Sequence, residues 1–145
     1  MSVKSYMIQK ADKKWDTHPE RLFRLFARSH NLAVVQNQSE TFVFDDEPYT
    51  FQMDFVRPKK WEDYLMTGFY SPEEGFDVDF EIDGPAHDSE QNHRKDIWKD
   101  FVKAKWGIKV IHIPAVLCEK AWWPYLDKEI QKALRETSRS VWIVA

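Results

Sequence analysis

Two hydrophobic periods alternate along this chain, and the switches between them predict its elements. From Phe76 to His87 the sequence runs FDVDFEIDGPAH. Read with the two-residue period of a strand, Phe76, Val78, Phe80 and Ile82 fall on one face. Asp77, Asp79, Glu81 and Asp83 fall on the other. Gly84-Pro85 ends the strand and leaves His87 just past the turn. Upstream, Thr17-His18-Pro19-Glu20 has the shape of a capping box, with Pro in the first turn and Glu three places after the Thr. Leu22, Phe23, Leu25 and Phe26 follow at helical spacing, so a helix is predicted from about His18 to Ser29, with Arg21, Arg24 and Arg28 outward. Short strands are expected at Leu32–Gln36 and Thr41–Phe44, separated by a turn at Asn37-Gln38-Ser39. Asp45 to Pro48 breaks the second. Tyr49–Val56 alternates again, with Tyr49, Phe51, Met53 and Phe55 pointing one way and Thr50, Gln52 and Asp54 the other. Residues 57–75 hold a short helix around Lys59–Met66 and a loop from Ser71 to Gly75.

After the acidic strand, a helix is expected from about Ser89 to Trp106, apolar at Ile97, Trp98, Phe101 and Val102 and closed by Gly107. Ile108–Ile113 reads as a buried strand stopped by Pro114. A last helix begins at Leu117 or Trp123 and runs to Thr137. The tail, Val141–Ala145, is either one more strand or a dimer contact, and residues 1–16 carry only a weak pattern. The main order is therefore α-β-β-β-α-β. The strand–helix–strand passage implies a parallel crossover in a central mixed sheet flanked by helices, an α/β fold. A single domain is expected over 1–145, its core at about 17–114 and its C-terminal helix and tail at 117–145.

Composition narrows the class. A chain of 145 residues supports one hydrophobic core, and an apolar share of 43% with 15% aromatics is that of a globular protein. One cysteine, Cys118, permits no internal disulfide and fits a reducing compartment. Neither a signal-like apolar run nor a stretch of membrane-spanning length is present, so a cytoplasmic, intracellular protein without a membrane partner is expected. A small domain of this kind fits a virus or plasmid. The net charge of −3 does not advertise nucleic acid. Basic residues nevertheless gather at Arg57, Lys59 and Lys60, and again from His93, Arg94 and Lys95 through Lys99, Lys103 and Lys105.

The acidic strand raises a chemical question. Same-face carboxylates lie ~7 Å apart. They repel by ~0.6 kcal/mol in water and ~2.4 kcal/mol at an effective dielectric near 20. An edge strand with a solvated acidic face would relieve this. So would a cation. If Tyr49–Val56 and Phe76–Asp83 are neighbours, Asp54 meets Glu81 on the polar face, with Asp79 and Asp83 above and below. Hard oxygen donors of that kind suit Mg²⁺ or Mn²⁺, which can polarise a phosphoryl oxygen and activate water.

Asp54 near a strand end, then Glu81-Ile82-Asp83-Gly84-Pro85-Ala86-His87, a polar helix, and Gly107-Ile108-Lys109-Val110-Ile111 together resemble the PD-(D/E)XK nuclease superfamily. The likeness is to its small branch of very-short-patch-repair-like endonucleases and covers roughly Thr17 to Pro114. It implies a restriction-endonuclease-like core and a Mg²⁺- or Mn²⁺-dependent endonuclease that hydrolyses DNA phosphodiesters. Asp54 and Glu81 would ligate the metal with the Ile82 carbonyl, and Asp83 stands beside them where the superfamily usually has Lys. By the same resemblance Asp83 would join the metal ligands, His87 would act near the scissile phosphate, and Glu20 would match an acidic residue on the first helix that points at the metal. Glu20 equally closes the capping box. His87, Lys59 or Lys60 would replace the missing lysine. Arg57, Lys59, Lys60 and Arg94 are candidate nucleic-acid contacts, and the molecule is expected to be a monomer or homodimer. The alternatives are a non-catalytic nucleic-acid- or protein-binding domain, or a nuclease acting on RNA or on branched or single-stranded DNA. Trp122-Trp123-Pro124-Tyr125 reads as packing or as a stacking platform, His112 as a structural histidine, and Cys118 as a small buried apolar residue.

Overall fold

The computed structural model describes residues 17–84 and 90–145. Its first element, α1 (His18–Ser29), starts as the capping box dictates: the Glu20 N–H donates to Thr17 Oγ1 at 3.3 Å. Phe23, Phe26 and Ala27 recur at three- and four-residue spacing and are buried. Next come β1 (Val35–Phe44) and β2 (Glu47–Pro58), a hairpin whose two connecting residues, Asp45 and Asp46, both have positive φ, 53° and 64°. That is the backbone of the two-residue turn whose twist matches its strands. β1 is one continuous strand, where two short ones with an intervening turn were expected. Asn37 sits inside it at φ 57°, so the local signal at Asn37-Gln38-Ser39 is a kink within the ladder and not its end.

A short helix, α2 (Trp61–Thr67), separates β2 from the acidic strand β3 (Phe76–Asp83). Then come α3 (Glu90–Lys105), β4 (Lys109–Pro114), α4 (Trp123–Arg135) and β5 (Ser140–Trp142). The expected α-β-β-β-α-β order is therefore interrupted by α2 and extended by α4 and β5. All five strands form one mixed sheet in the order β1-β2-β3-β4-β5. β1, β2 and β3 are antiparallel neighbours, while β3–β4 and β4–β5 are parallel. The helical crossover between β3 and β4 produces the parallel pair. The tail thus joins the sheet of its own chain.

The core lies on both faces of this sheet. On one, Phe23 and Phe26 of α1 and Leu126 and Ile130 of α4 pack against Phe55, Val78, Phe80, Ile82, Ile111 and Ile113. Each such side chain contributes about 1.5–3 kcal/mol when fully buried. On the other face, Phe42, Phe51, Met53, Val56, Phe76 and Ile108 pack against Val102 of α3. The alternation of β2 slips between these sets. Met53 faces α3, but Phe55, expected on the same side, packs on Phe23 and Phe80. The slip falls at Asp54, which has no ladder partner on β1 or β3.

Two details anchor the C-terminal half. Gly107, at φ 78°, ends α3 with its own N–H on Ala104 O and the Ile108 N–H on Lys103 O. Lys109 is buried, and its ammonium donates to Ala133 O at 2.8 Å and to Glu136 O at the C-terminal end of α4. A cation there complements the helix dipole. Among the described residues, no helix is long and apolar enough to cross a membrane.

Candidate functional site

β3 is a central strand, so its acidic face is not the solvated face of an edge. α3 covers it, and only part of the helix's apolar pattern turns inward: Val102 is fully buried against the sheet. Ile97, Trp98 and Phe101, expected to face inward, are exposed, whereas Asp100 and Lys103 are buried. A polar helix face thus closes on a polar strand face. Lys103 Nζ lies 2.6 Å from Asp79 Oδ2 and 3.3 Å from Glu81 Oε1. Burial opposes its charge, but those two carboxylates override it and hold the ammonium protonated well above the ordinary lysine range. Asp79 is fully buried, and its carboxyl is raised by desolvation, which Lys103 only partly offsets. Its other oxygen, Oδ1, is buried and makes no hydrogen bond among the described residues.

Asp54 comes to this face from β2. The β2–β3 ladder stops at the Phe55–Phe80 pair, and beyond it the Ile82 N–H donates to Asp54 Oδ2 at 2.8 Å. The carboxylate stands in for the backbone acceptor that a continued ladder would supply, and this fixes Asp54 beside Glu81. The two side chains are within hydrogen-bonding reach. Both are pushed up to about 8. For Asp54, burial is the main cause and the charge of Glu81 the next; for Glu81, burial and then Asp79, relieved in part by Lys103. Two carboxylates so placed hold a proton between them near neutral pH.

On the far side of Glu81, His112 of β4 joins Asp83 to α3. Its Nδ1 is 3.0 Å from Asp83 Oδ2 and its Nε2 2.7 Å from Asp100 Oδ2. Carboxylates only accept, so both ring nitrogens must carry protons. Burial disfavours that imidazolium, yet the hydrogen bonds of Asp100 and Asp83 outweigh it and move the group up to about 9. The ring lies flat on the Trp142 indole, centroids 3.6 Å apart and planes 5° from parallel. Ser140 donates to the same Asp100 oxygen at 2.6 Å. β5 thereby braces His112 from behind.

These groups enclose a cavity of about 250 Å³. Its charged lining is mostly acidic: Glu20, Asp54, Glu81, Asp83, Asp96 and Asp100 against Lys99, Lys103 and His112. Ile82 and Gln52 complete the wall. Comparison with protein-family models, characterised proteins and solved structures returns no significant match.

The structure therefore brings together Glu20, Asp54, Glu81, Ile82 and Asp83. Glu20 lines the cavity while its backbone N–H is held by the Thr17 cap, so capping and facing the site coexist. His87 falls outside the described residues. The basic candidates on the far end of β2 are elsewhere: Arg57 makes a two-point ion pair with Asp77 (3.1 and 2.9 Å) and lies over the Trp61 ring. The Lys59 side chain runs past Gly75, and Lys60 faces Glu74 at 4.0 Å. Neither lysine lines the cavity. Trp123 and Tyr125 are engaged as packing, Trp123 against Phe26 with its indole N–H on Cys118 O, and Tyr125 with its hydroxyl on Val144 O.

Lys103, Asp100 and His112 were missed as site residues. A trace of the first two exists: Lys99 and Asp100 lie three and four residues after Asp96, and Lys103 four and three residues after them, which makes a charged stripe. Nothing in the local pattern says that the stripe faces inward.

The donor atoms are hard oxygens. Carboxylate oxygens dominate the cavity, two of them frustrated to the point of sharing a proton, with an orphaned buried oxygen on Asp79 alongside. Among the described residues no three His, Cys, Asp or Glu side chains form a ready metal-binding group. Asp54 and Glu81 are the two carboxylates of the cavity that could face a common ion, with backbone and water oxygens needed to complete its shell.

Proposed function

We propose that this protein is a metal-dependent nuclease that hydrolyses phosphodiester bonds in DNA, built on a restriction-endonuclease-like form of the mixed sheet. The convergence of Asp54 and Glu81, 27 residues apart in sequence, on one buried acidic cavity carries this reading. The resemblance of the Glu81-Ile82-Asp83-Gly84 segment and the Gly107-Ile108-Lys109-Val110 strand to PD-(D/E)XK nucleases supports it.

A bound Mg²⁺ or Mn²⁺ supplies a Lewis acid for the phosphate oxygens and activates water. The chain does the rest. Asp54 and Glu81 would hold the ion, and the Ile82 N–H keeps Asp54 turned toward Glu81. Lys103 anchors one Glu81 oxygen and contributes positive charge where a phosphate would enter. It thus takes the place of the lysine that the Glu-x-Lys pattern would put at position 83. Asp83, fixed by His112, borders the site without giving up its partner. Glu20 closes the acidic wall from α1.

The internal partners of the acids favour a second reading, a non-catalytic nucleic-acid- or protein-binding domain in which these charges are structural. Incubating the protein with plasmid, single-stranded DNA and RNA in Mg²⁺, Mn²⁺ or EDTA separates the two. Metal-dependent cleavage that disappears in Asp54→Asn and Glu81→Gln supports the nuclease. Binding with no cleavage in any metal, and no heat of Mn²⁺ binding by calorimetry, would leave only the second.

A further inference from the structure

The exposed side of α3 carries a second concavity that the carboxylate chemistry does not use. Gln91, Arg94, Lys95, Trp98 and Lys99 line an open groove of about 730 Å³. Its apolar wall is Trp98, 39% exposed despite being the largest side chain on that face. The indole is not loose. It meets Tyr49 at 4.8 Å and 76° and Phe51 at 5.8 Å and 87°, edge contacts that fix the ring on the β1–β2 hairpin. Lys99 packs its ammonium 5.9 Å from the Phe51 ring. The groove is therefore a braced aromatic surface flanked by cations, with no carboxylate in its lining among the described residues.

Its position matters as much as its chemistry. Lys99 lines both this groove and the acidic cavity. Trp98 and Lys103 are five residues apart on one helix, about 7.5 Å of axial rise. A polyanion whose phosphate sat at the carboxylates would pass Lys99 and reach Trp98 next. An acidic peptide would satisfy the cations but leave the indole without a planar partner. A duplex would satisfy the cations but keep its bases stacked on each other. An unpaired nucleotide uses both, its base on the ring and its phosphates on Lys95 and Lys99.

We infer that the Trp98 groove takes an unpaired nucleobase, so that the protein engages single-stranded or frayed nucleic acid beside the acidic cavity. This rests on the nuclease reading for its purpose, though not for its detection. The test is fluorescence anisotropy in EDTA with labelled dT₁₅, rU₁₅, a duplex of equal length, an abasic strand with the same phosphates, and polyglutamate. Wild type is expected to prefer the single strands to the duplex and to lose most of that affinity on the abasic strand. Trp98→Ala should weaken dT₁₅ or rU₁₅ binding by about tenfold to a hundredfold, Trp98→Phe should retain most of it, and Lys95→Glu should weaken it with a shallower salt dependence. The two single strands report whether the sugar matters. The abasic comparison on wild type answers the question even if Trp98→Ala fails to fold after losing its contacts with Tyr49 and Phe51. Equal binding of abasic strand, polyglutamate and dT₁₅, a preference for duplex, or no binding to any strand overturns the inference. Base-dependent binding without metal-dependent cleavage keeps it and removes the nuclease. Cleavage that is indifferent to Trp98→Ala and to strandedness does the reverse.

Discussion

Lys103 Nζ bridges Asp79 and Glu81, 2.6 Å from one carboxylate and 3.3 Å from the other, so a single ammonium from α3 compensates two acids of β3. Both Lys103 and Asp79 are buried. Breaking such a pair from one side leaves uncompensated charge in the interior, at a cost of about 3–5 kcal/mol. Lys103→Met should therefore lower the thermal midpoint at pH 7, by about 2–4 °C for each kcal/mol. Adding Asp79→Asn to it should recover part of the loss. A Lys103→Met protein as stable as wild type would mean that α3 is not held by this contact.

The Asp54–Glu81 pair makes a pH prediction. Unfolded, both acids ionise near pH 4; folded, the pair retains a proton to about 8. The native state therefore binds more protons over that window, and stability falls as pH rises from about 4 to 8. Asp54→Asn keeps an acceptor for the Ile82 N–H but removes the charge. Its melting midpoint should exceed that of wild type at pH 8 and match it near pH 4. Mn²⁺ should raise the wild-type midpoint at pH 8 and leave that of Asp54→Asn unmoved.

His112 behaves in the opposite sense. Its folded value, about 9, lies above the ordinary imidazole range. Its contribution is full below about pH 6.5 and is lost as pH rises through 9. His112→Gln should thus be most destabilising at pH 6 and progressively less so toward pH 9.5. An NMR titration of the His112 ring should find its midpoint well above 7; a midpoint near 6.5 would mean that Asp83 and Asp100 do not clasp it.

Lys109 offers a test away from the site. Its ammonium donates to carbonyls at the end of α4. Lys109→Met should cost about 1–3 kcal/mol through the orphaned carbonyls and the lost dipole contact, read as a lower urea midpoint with an unchanged m-value.

Much of the fold was legible because it is written locally. Thr17, Pro19 and Glu20 mark the start of α1, Gly107 marks the end of α3, and Pro114 lies at the end of β4. The alternation from Val78 to Asp83 separates the faces of β3 as the structure does, whereas Phe76, expected beside Val78, packs on the α3 face next to the register shift at Arg57–Pro58. Where a local signal competed with pairing, pairing won: Asn37 suggested a turn, but nine residues paired with β2 on either side of it carry the strand past it. Phe55 failed its assigned face because the chain slips at Asp54, and a slip has no signature in an alternating string.

The order of residues by itself determined that this chain alternates strand and helix, that β3 carries a row of acids, and that Asp54 and Glu81 occupy polar positions on separate strands. Only the tertiary structure decided what those acids meet. α3 turns Asp100, Lys103 and Val102 inward and leaves Trp98 and Phe101 half-exposed against the hairpin, because buried carboxylates demand cations more strongly than apolar rings demand full cover. That choice is made across the sheet, between residues far apart in the chain, and no periodicity within α3 records it.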